Sequence, residues 1–214
     1  MFDYLFFDLD GTLTDSLPGI KNSFIYAFNE LNENVPEDSV LSTFIGPPLY
    51  DTFEKLCGFS KEKAEKAVKK YREYYEKTGM FENSVYKGIP SLLEELKDSG
   101  KHLFVATSKP EIFSVKILEK FKLSQYFEKI CGSNFDESRS NKEEVIKYAL
   151  NSGFPIIREK ALMIGDRKHD IFGAKKNNLK SCGVLYGYGR KEELESSGAD
   201  YIVKTPEEII KLVM

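Results

Sequence analysis

The feature that most constrains this chain is the return of short apolar runs along it, each separated from the next by a pattern of helical period. Tyr4-Leu5-Phe6-Phe7 is continuously apolar and ends in an acidic, glycine-containing turn. Similar runs recur at His102–Ala106, Lys129–Cys131, Ala161–Ile164, Cys182–Tyr186 and Tyr201–Val203. Runs that are apolar at successive rather than alternate positions suit strands covered on both faces. Between them, Leu92, Leu93 and Leu96, or Ile117, Leu118 and Phe121, repeat at helical spacing. Strands alternating with helices build βαβ units, so the chain is predicted to be an α/β protein with an open parallel sheet and helices on both faces.

One stretch breaks the alternation. From Pro18 to Val85 there are several helical patterns and no convincing strand. Within Lys61–Lys77, Ala64, Ala67, Val68, Tyr71 and Tyr75 share one face, with Lys and Glu on the other. That charge run reads as a solvated face rather than a binding patch. The domain reading is therefore a Rossmann-like core over 1–17 and 86–214, with a helical domain inserted at 18–85. Gly88 and Pro90 mark the return to the core.

Composition narrows the partners. The 31 Lys and Arg against 34 Asp and Glu give a net charge of -3, so there is no broad basic field for a nucleic-acid polymer or an anionic membrane. No apolar run approaches the roughly 20 residues needed to span a bilayer. The start, MFDYLFFDLD, places acids where a signal peptide carries its basic and uninterrupted apolar regions. Cys57, Cys131 and Cys182 are scattered, which argues against a disulfide framework or structural zinc and suits a reducing compartment. A cytoplasmic protein, monomeric or weakly dimeric, is expected.

Four segments carry chemistry-bearing groups. Asp8-Leu9-Asp10-Gly11-Thr12 follows the first strand, and residues two apart on an extended segment point to the same side. Thr107-Ser108-Lys109 ends the second strand, offering hydroxyl and ammonium groups just before a helix N-terminus that favours anions. Lys142 opens another helical pattern. Gly165-Asp166-Arg167-Lys168-His169-Asp170 follows a later strand, and a helical turn there could set Asp166 and Asp170 on one side. Carboxylates leaving separate strands toward one sheet edge repel unless a cation lies between them. Oxygen ligands select a hard ion, and Mg²⁺ is the usual choice beside phosphate. Alignment, charge neutralisation and a nucleophile are most of what phosphoryl transfer requires.

Taken together, strand-DLDGTLTDS, strand-ATSKP, a downstream Lys and strand-GDRKHD resemble the haloacid dehalogenase superfamily of phosphohydrolases. The early helical insertion resembles the cap of phosphoglycolate-phosphatase-like members. The resemblance implies that Asp8 attacks phosphorus to form an aspartyl-phosphate and also touches Mg²⁺. It implies that Asp10 protonates the leaving oxygen and then activates water, its main-chain carbonyl being a metal ligand. Ser108 and Lys142 would hold the phosphoryl group, with Lys109 as a further phosphate contact. Asp166 would ligate Mg²⁺, and Asp170 would orient that shell or ligate directly. The segment Arg139-Ser140-Asn141-Lys142 departs from the K-P-x-P context usual around this lysine.

The implied activity is Mg²⁺-dependent hydrolysis of a small organic phosphate monoester, of phosphoglycolate or nucleoside 5'-monophosphate type. The cap would select the leaving group, with Asn22, Tyr50 and the Ile45–Tyr50 turn as candidate contacts; Phe24 suits a buried core position equally well. The alternatives are a β-phosphoglucomutase-like phosphotransferase, which would hold its phosphoenzyme for a returning sugar phosphate, and a non-catalytic phosphate-binding relative. His102 and His169 read as structural or solvent-facing. Gly187-Tyr188-Gly189 is no dinucleotide fingerprint and reads as shaping the loop beyond a strand.

Overall fold

All six apolar runs become strands of one sheet in the computed structural model, which describes residues 1–45, 49–135, 139 and 141–214. They are β1 Tyr4–Phe7, β2 His102–Pro110, β3 Lys129–Ser133, β4 Ala161–Gly165, β5 Lys180–Val184 and β6 Tyr201–Val203. Their order across the sheet is β3-β2-β1-β4-β5-β6, and every neighbouring pair is parallel. Leu5, Phe6 and Phe7 are fully buried, as the unbroken apolar run requires of a central strand. From β1 the chain builds outward to β3, then crosses to β4 on the other flank of β1. This reversal is the switch point beyond which open parallel sheets bind ligands, and Asp8 and Asp166 follow the two strands that meet there.

Several strand ends differ from the sequence reading, β4 by the single residue Gly165. β2 continues to Pro110 and β3 to Ser133, while β5 spans Lys180–Val184 rather than Cys182–Tyr186. Ser181 can begin a buried strand because its N–H and hydroxyl both donate to Asp200 Oδ2, at 2.9 and 3.0 Å. A polar start thus loses no hydrogen bonds on burial. Beyond it, Leu185 and Tyr186 leave the strand for a loop.

Five longer helices complete the sheet unit in the segments used below: α3 Ile89–Asp98, α4 Glu111–Lys120, α5 Lys142–Leu150, α6 Lys168–Lys176 and α8 Pro206–Val213, with the short α7 Lys191–Ser196 before β6. Gly88 precedes α3 at φ +89°, a left-handed conformation that glycine adopts without a Cβ penalty. On one face of the sheet, Phe6, Phe104, Ala106, Cys131 and Met163 form a core with Val145, Ile146 and Ala149 of α5.

The chain divides into two units, Met1–Asp15 with Val85–Met214, and Ser16–Ser84. The second starts earlier than residue 18 because Pro18 lies in the first turn of α1 Leu17–Glu30, where its missing N–H has no helical partner to lose. Its other long helix is α2 Lys61–Lys77, begun by Ser60, whose hydroxyl accepts from the Lys63 N–H at 3.3 Å. Phe24, Ala27 and Phe28 of α1 pack with Phe44, Phe53, Ala64 and Ala67. Phe24 is 1% exposed, with ring centroids 4.8 to 5.2 Å from those of Tyr71, Phe44 and Phe53, so it is a core residue. Among the described residues, no helix is long and apolar enough to cross a membrane.

Candidate active site

Asp8 leaves β1 still tied to the sheet, its N–H donating to the Ile164 carbonyl of β4 at 2.9 Å. Asp166 follows β4, and Asp170 lies in the first turn of α6, where one carboxylate oxygen accepts from the Arg167 N–H at 3.0 Å. Sheet register and helix start together bring Asp8, Asp166 and Asp170 into one buried cluster, with a carboxylate oxygen from each within 4.8 Å of the others. Asp170 thus combines the two roles open to it in the sequence, a helix-terminal acceptor and a member of the acidic cluster.

Lys142 opens α5, whose start is fixed by Asn141 and Glu144 in a reciprocal cap: the Glu144 N–H donates to the Asn141 side chain at 2.9 Å. Its ammonium reaches Asp8 Oδ1 at 2.7 Å, Asp170 Oδ1 at 2.8 Å and the Ala106 carbonyl at 3.0 Å. Burial opposes a charged lysine, but the carboxylates of Asp170 and Asp8 outweigh it and raise the Lys142 pKa. Asp8 Oδ1 also accepts from the Leu9 N–H at 2.7 Å.

The cluster holds more negative than positive charge. Three carboxylates against one ammonium leave an excess of two negative charges when all are ionised. Burial raises the pKa of Asp166 well above the ordinary carboxylate value, and the charges of Asp170 and Asp8 raise it further. Burial likewise raises that of Asp8, against the opposing pull of Lys142. Asp166 Oδ1 is buried without a hydrogen-bond partner. An oxygen-only donor set, an orphaned carboxylate oxygen and two uncompensated charges fit a hard divalent cation. Gly11 makes room for this arrangement: at φ +80°, a Cβ there would lie 2.2 Å from Asp166 Oδ2.

The other predicted residues fall in distinct places. Lys109 Nζ lies 2.8 Å from Asp10 Oδ1 and 2.8 Å from Oδ2, so this lysine grips the second aspartate of the first loop. Ser108 is exposed at the end of β2. The hydroxyl beside the cluster belongs to its neighbour Thr107, which is buried, hydrogen-bonds Asp8 and accepts from the Lys109 N–H at 3.2 Å. Asn22 and Tyr50 lie in the helical unit. Asn22 donates to Glu82 at 3.0 Å, and Tyr50 packs against the unit's aromatic core. Gly46, Pro47 and Pro48 of the turn named with them lie outside the described residues.

Sequence reasoning passed over Thr107 as a contact of Asp8. The one available signal was its place directly after an apolar strand, which Ser108 nearly shares. It also passed over Tyr188, whose N–H donates to Asp166 Oδ2 at 2.8 Å. His169 is exposed, and His102 sits half-buried against Tyr4, its Nδ1 3.3 Å from Glu128.

A family described as haloacid dehalogenase-like hydrolase matches residues 5–184. The chain is 44% identical over 192 residues to a 5'-nucleotidase of Pseudomonas aeruginosa, a match covering 90% of this chain and 86% of that protein. It is 40% identical over 204 residues to the tyrosine-protein kinase PtkA of Mycobacterium tuberculosis, covering 95% of this chain and 66% of that protein. The crystal structure of a predicted phosphatase from Clostridium acetobutylicum is similar at a TM-score of 0.92 and 50% identity, covering 100% of this chain and 98% of that one. Proteins named phosphoglycolate phosphatase match as well, at lower identity.

Proposed function

The chain belongs to the haloacid dehalogenase-like hydrolases, and from that premise we propose that it is a Mg²⁺-dependent phosphatase of small phosphate monoesters, with Asp8 as its nucleophile. The observation that carries this reading is the convergence of Asp8, Asp166 and Asp170 beyond the ends of β1 and β4, beside Lys142. Asp8, Asp166 and Asp170 would hold the ion, with the Asp10 main-chain carbonyl as a further ligand. Bound there, Mg²⁺ supplies positive charge for the phosphoryl oxygens.

The protein's own groups do the rest. The Leu9 N–H, Lys142 and Thr107 fix the Asp8 carboxylate, so that it meets phosphorus without losing side-chain freedom at that moment. Attack forms an aspartyl-phosphate on Asp8 and releases the alcohol of the substrate. Asp10 gives the leaving oxygen its proton and then takes one from the water that hydrolyses the intermediate. Lys142 holds a phosphoryl oxygen as well as Asp8. Thr107, rather than Ser108, is the hydroxyl we assign to the phosphoryl site, because it is the one in contact with the nucleophile. Lys109 sits on Asp10 and so acts on the acid–base group, with phosphate contact following only when substrate enters.

For the substrate we favour the nucleoside 5'-monophosphate class over phosphoglycolate, because the relative named a 5'-nucleotidase is the more similar in sequence. Asn22 and Tyr50 stay as candidate substrate contacts within the helical unit. The test is phosphate release from a panel of nucleotides, phosphoglycolate, sugar phosphates and pyrophosphate in Mg²⁺. EDTA should silence the enzyme and added Mg²⁺ restore it. No release from any monoester would end the phosphatase reading.

The likeness to a protein named as a tyrosine kinase favours a second reading, transfer of the phosphoryl group to an acceptor other than water. Transfer to a sugar phosphate, as in a β-phosphoglucomutase-like enzyme, is the small-molecule form of it. Label recovered in an acceptor instead of inorganic phosphate would select this reading.

A further inference from the structure

The loop after β5 approaches Asp166 more closely than a side-chain-bearing backbone can. A Cβ on Gly187 would stand 2.1 Å from the Gly11 carbonyl oxygen and 2.5 Å from Asp166 Cβ; one on Gly189 would stand 1.7 Å from the Asp166 carbonyl oxygen. The approach brings the Tyr188 N–H onto Asp166 Oδ2 at 2.8 Å, and Oδ1 is the oxygen left buried without a partner. The same residue is held at its other end. Its phenol donates to Asp15 Oδ1 at 2.9 Å and shares a hydrogen bond with the Tyr86 side chain. Asp15 is the last residue of the sheet unit before the helical unit, and Tyr86 is the second after the chain returns. The Tyr86 N–H in turn donates to the Leu13 carbonyl at 3.2 Å.

The geometry points to Tyr188 as a positioning residue for the cation site: its main-chain N–H turns Asp166 so that Oδ1 is kept for the ion, and its phenol anchors that main chain to Asp15 and Tyr86. A carboxylate ligand whose second oxygen is fixed by a hydrogen bond loses less freedom on binding a metal, and loss of such a supporting partner typically lowers metal affinity about 10- to 100-fold. Two glycines flank Tyr188 where contact with Asp166 is closest, so the loop backbone has little stiffness of its own. The phenol anchor supplies what the glycines remove. This inference rests on the reading of the cluster as a Mg²⁺ centre.

The test is calorimetric titration of MgCl₂ into the metal-free full chain, with no substrate, for the wild type and for Tyr188→Phe, Asp15→Ala, Asp15→Asn, the Tyr188→Phe/Asp15→Ala double variant and Asp166→Asn. Tyr188→Phe and Asp15→Ala should each weaken Mg²⁺ binding about 10-fold. The double variant should be no weaker than either single one, since both cut the same link. Asp15→Asn keeps an acceptor oxygen and should bind as the wild type does. The thermal midpoint of the metal-free protein should fall by no more than about 2 to 4 °C in the Tyr188 and Asp15 variants, the effect of one lost hydrogen bond, so that weaker binding is not a loss of fold. Unchanged affinity in Tyr188→Phe, or losses that add in the double variant, would overturn the inference. If Asp166→Asn loses binding and Tyr188→Phe keeps it, the Mg²⁺ reading stands and the positioning role falls; if the wild type takes up no Mg²⁺, both fall.

Discussion

Both units bury an apolar core, but among the described residues the sheet unit also buries charged side chains and the helical unit does not. The sheet unit encloses Asp8, Lys142, Asp166 and Asp170 at the ends of its strands. The helical unit encloses Phe24, Phe28, Phe44 and Phe53 with Ala27, Ala64 and Ala67, and among the described residues its buried polar side chains are the hydroxyls of Ser16, Ser23 and Thr52. Its charges pair outside, as Lys66 with Glu62 and Lys70 with Glu30. Burying aromatic surface stabilises by about 25 cal/mol per Å². Burying charge costs desolvation that mutual attraction only partly offsets. The helical unit is therefore built as folding alone would build it. The sheet unit keeps a cluster that folding alone would replace with apolar side chains, and that contrast supports the proposal that the chemistry lies there.

The contrast can be broken by substitution. Asp8→Asn should give the largest change, lowering kcat by at least about 10³-fold with the far-ultraviolet circular dichroism unchanged. Substantial turnover in that variant would remove the nucleophile assignment. Lys142→Ala should both abolish turnover and destabilise the sheet unit by about 3 to 5 kcal/mol, because it leaves Asp8 and Asp170 buried without their counter-charge. A urea midpoint equal to that of the wild type would show that the pair is solvated and the cluster argument mistaken. Phe24→Ala should destabilise the helical unit by a comparable amount, about 3 to 5 kcal/mol, through an apolar cavity alone. Adding Mg²⁺ should leave that loss unrepaired, whereas Mg²⁺ should raise the thermal midpoint of the wild type and fail to do so for Asp166→Asn. Lys66→Ala, at an exposed pair, should leave the thermal midpoint where it was.

Much of this was legible in the sequence, for reasons that differ by element. β1 was readable because an unbroken YLFF run admits few other structures. β5 was misplaced because Ser181 hides its suitability for burial in a contact with Asp200, a residue nineteen positions away. The acidic residues were readable because each follows a strand toward the same sheet edge. Which of Thr107 and Ser108 meets Asp8 was not, since adjacent residues at a strand end point to opposite sides and the phase is set by the sheet. Lys109 read as a phosphate contact because ammonium and phosphate are natural partners; its pairing with Asp10 depends on a fold contact across 99 positions. Tyr188 was invisible for the same reason: the role we propose for it rests on a main-chain N–H that every residue except proline possesses and on a phenol contact with Asp15 across 173 positions.

Everything proposed for this site depends on Asp8 standing beside a divalent cation and taking the phosphoryl group. The most direct measurement is acid-quenching of the enzyme during turnover of a substrate radiolabelled in its phosphoryl group, followed by digestion and sequencing of the labelled peptide. The expected result is a hydroxylamine-sensitive label at Asp8 that requires Mg²⁺ and vanishes in Asp166→Asn. A label elsewhere, or one that forms equally well in EDTA, would contradict it.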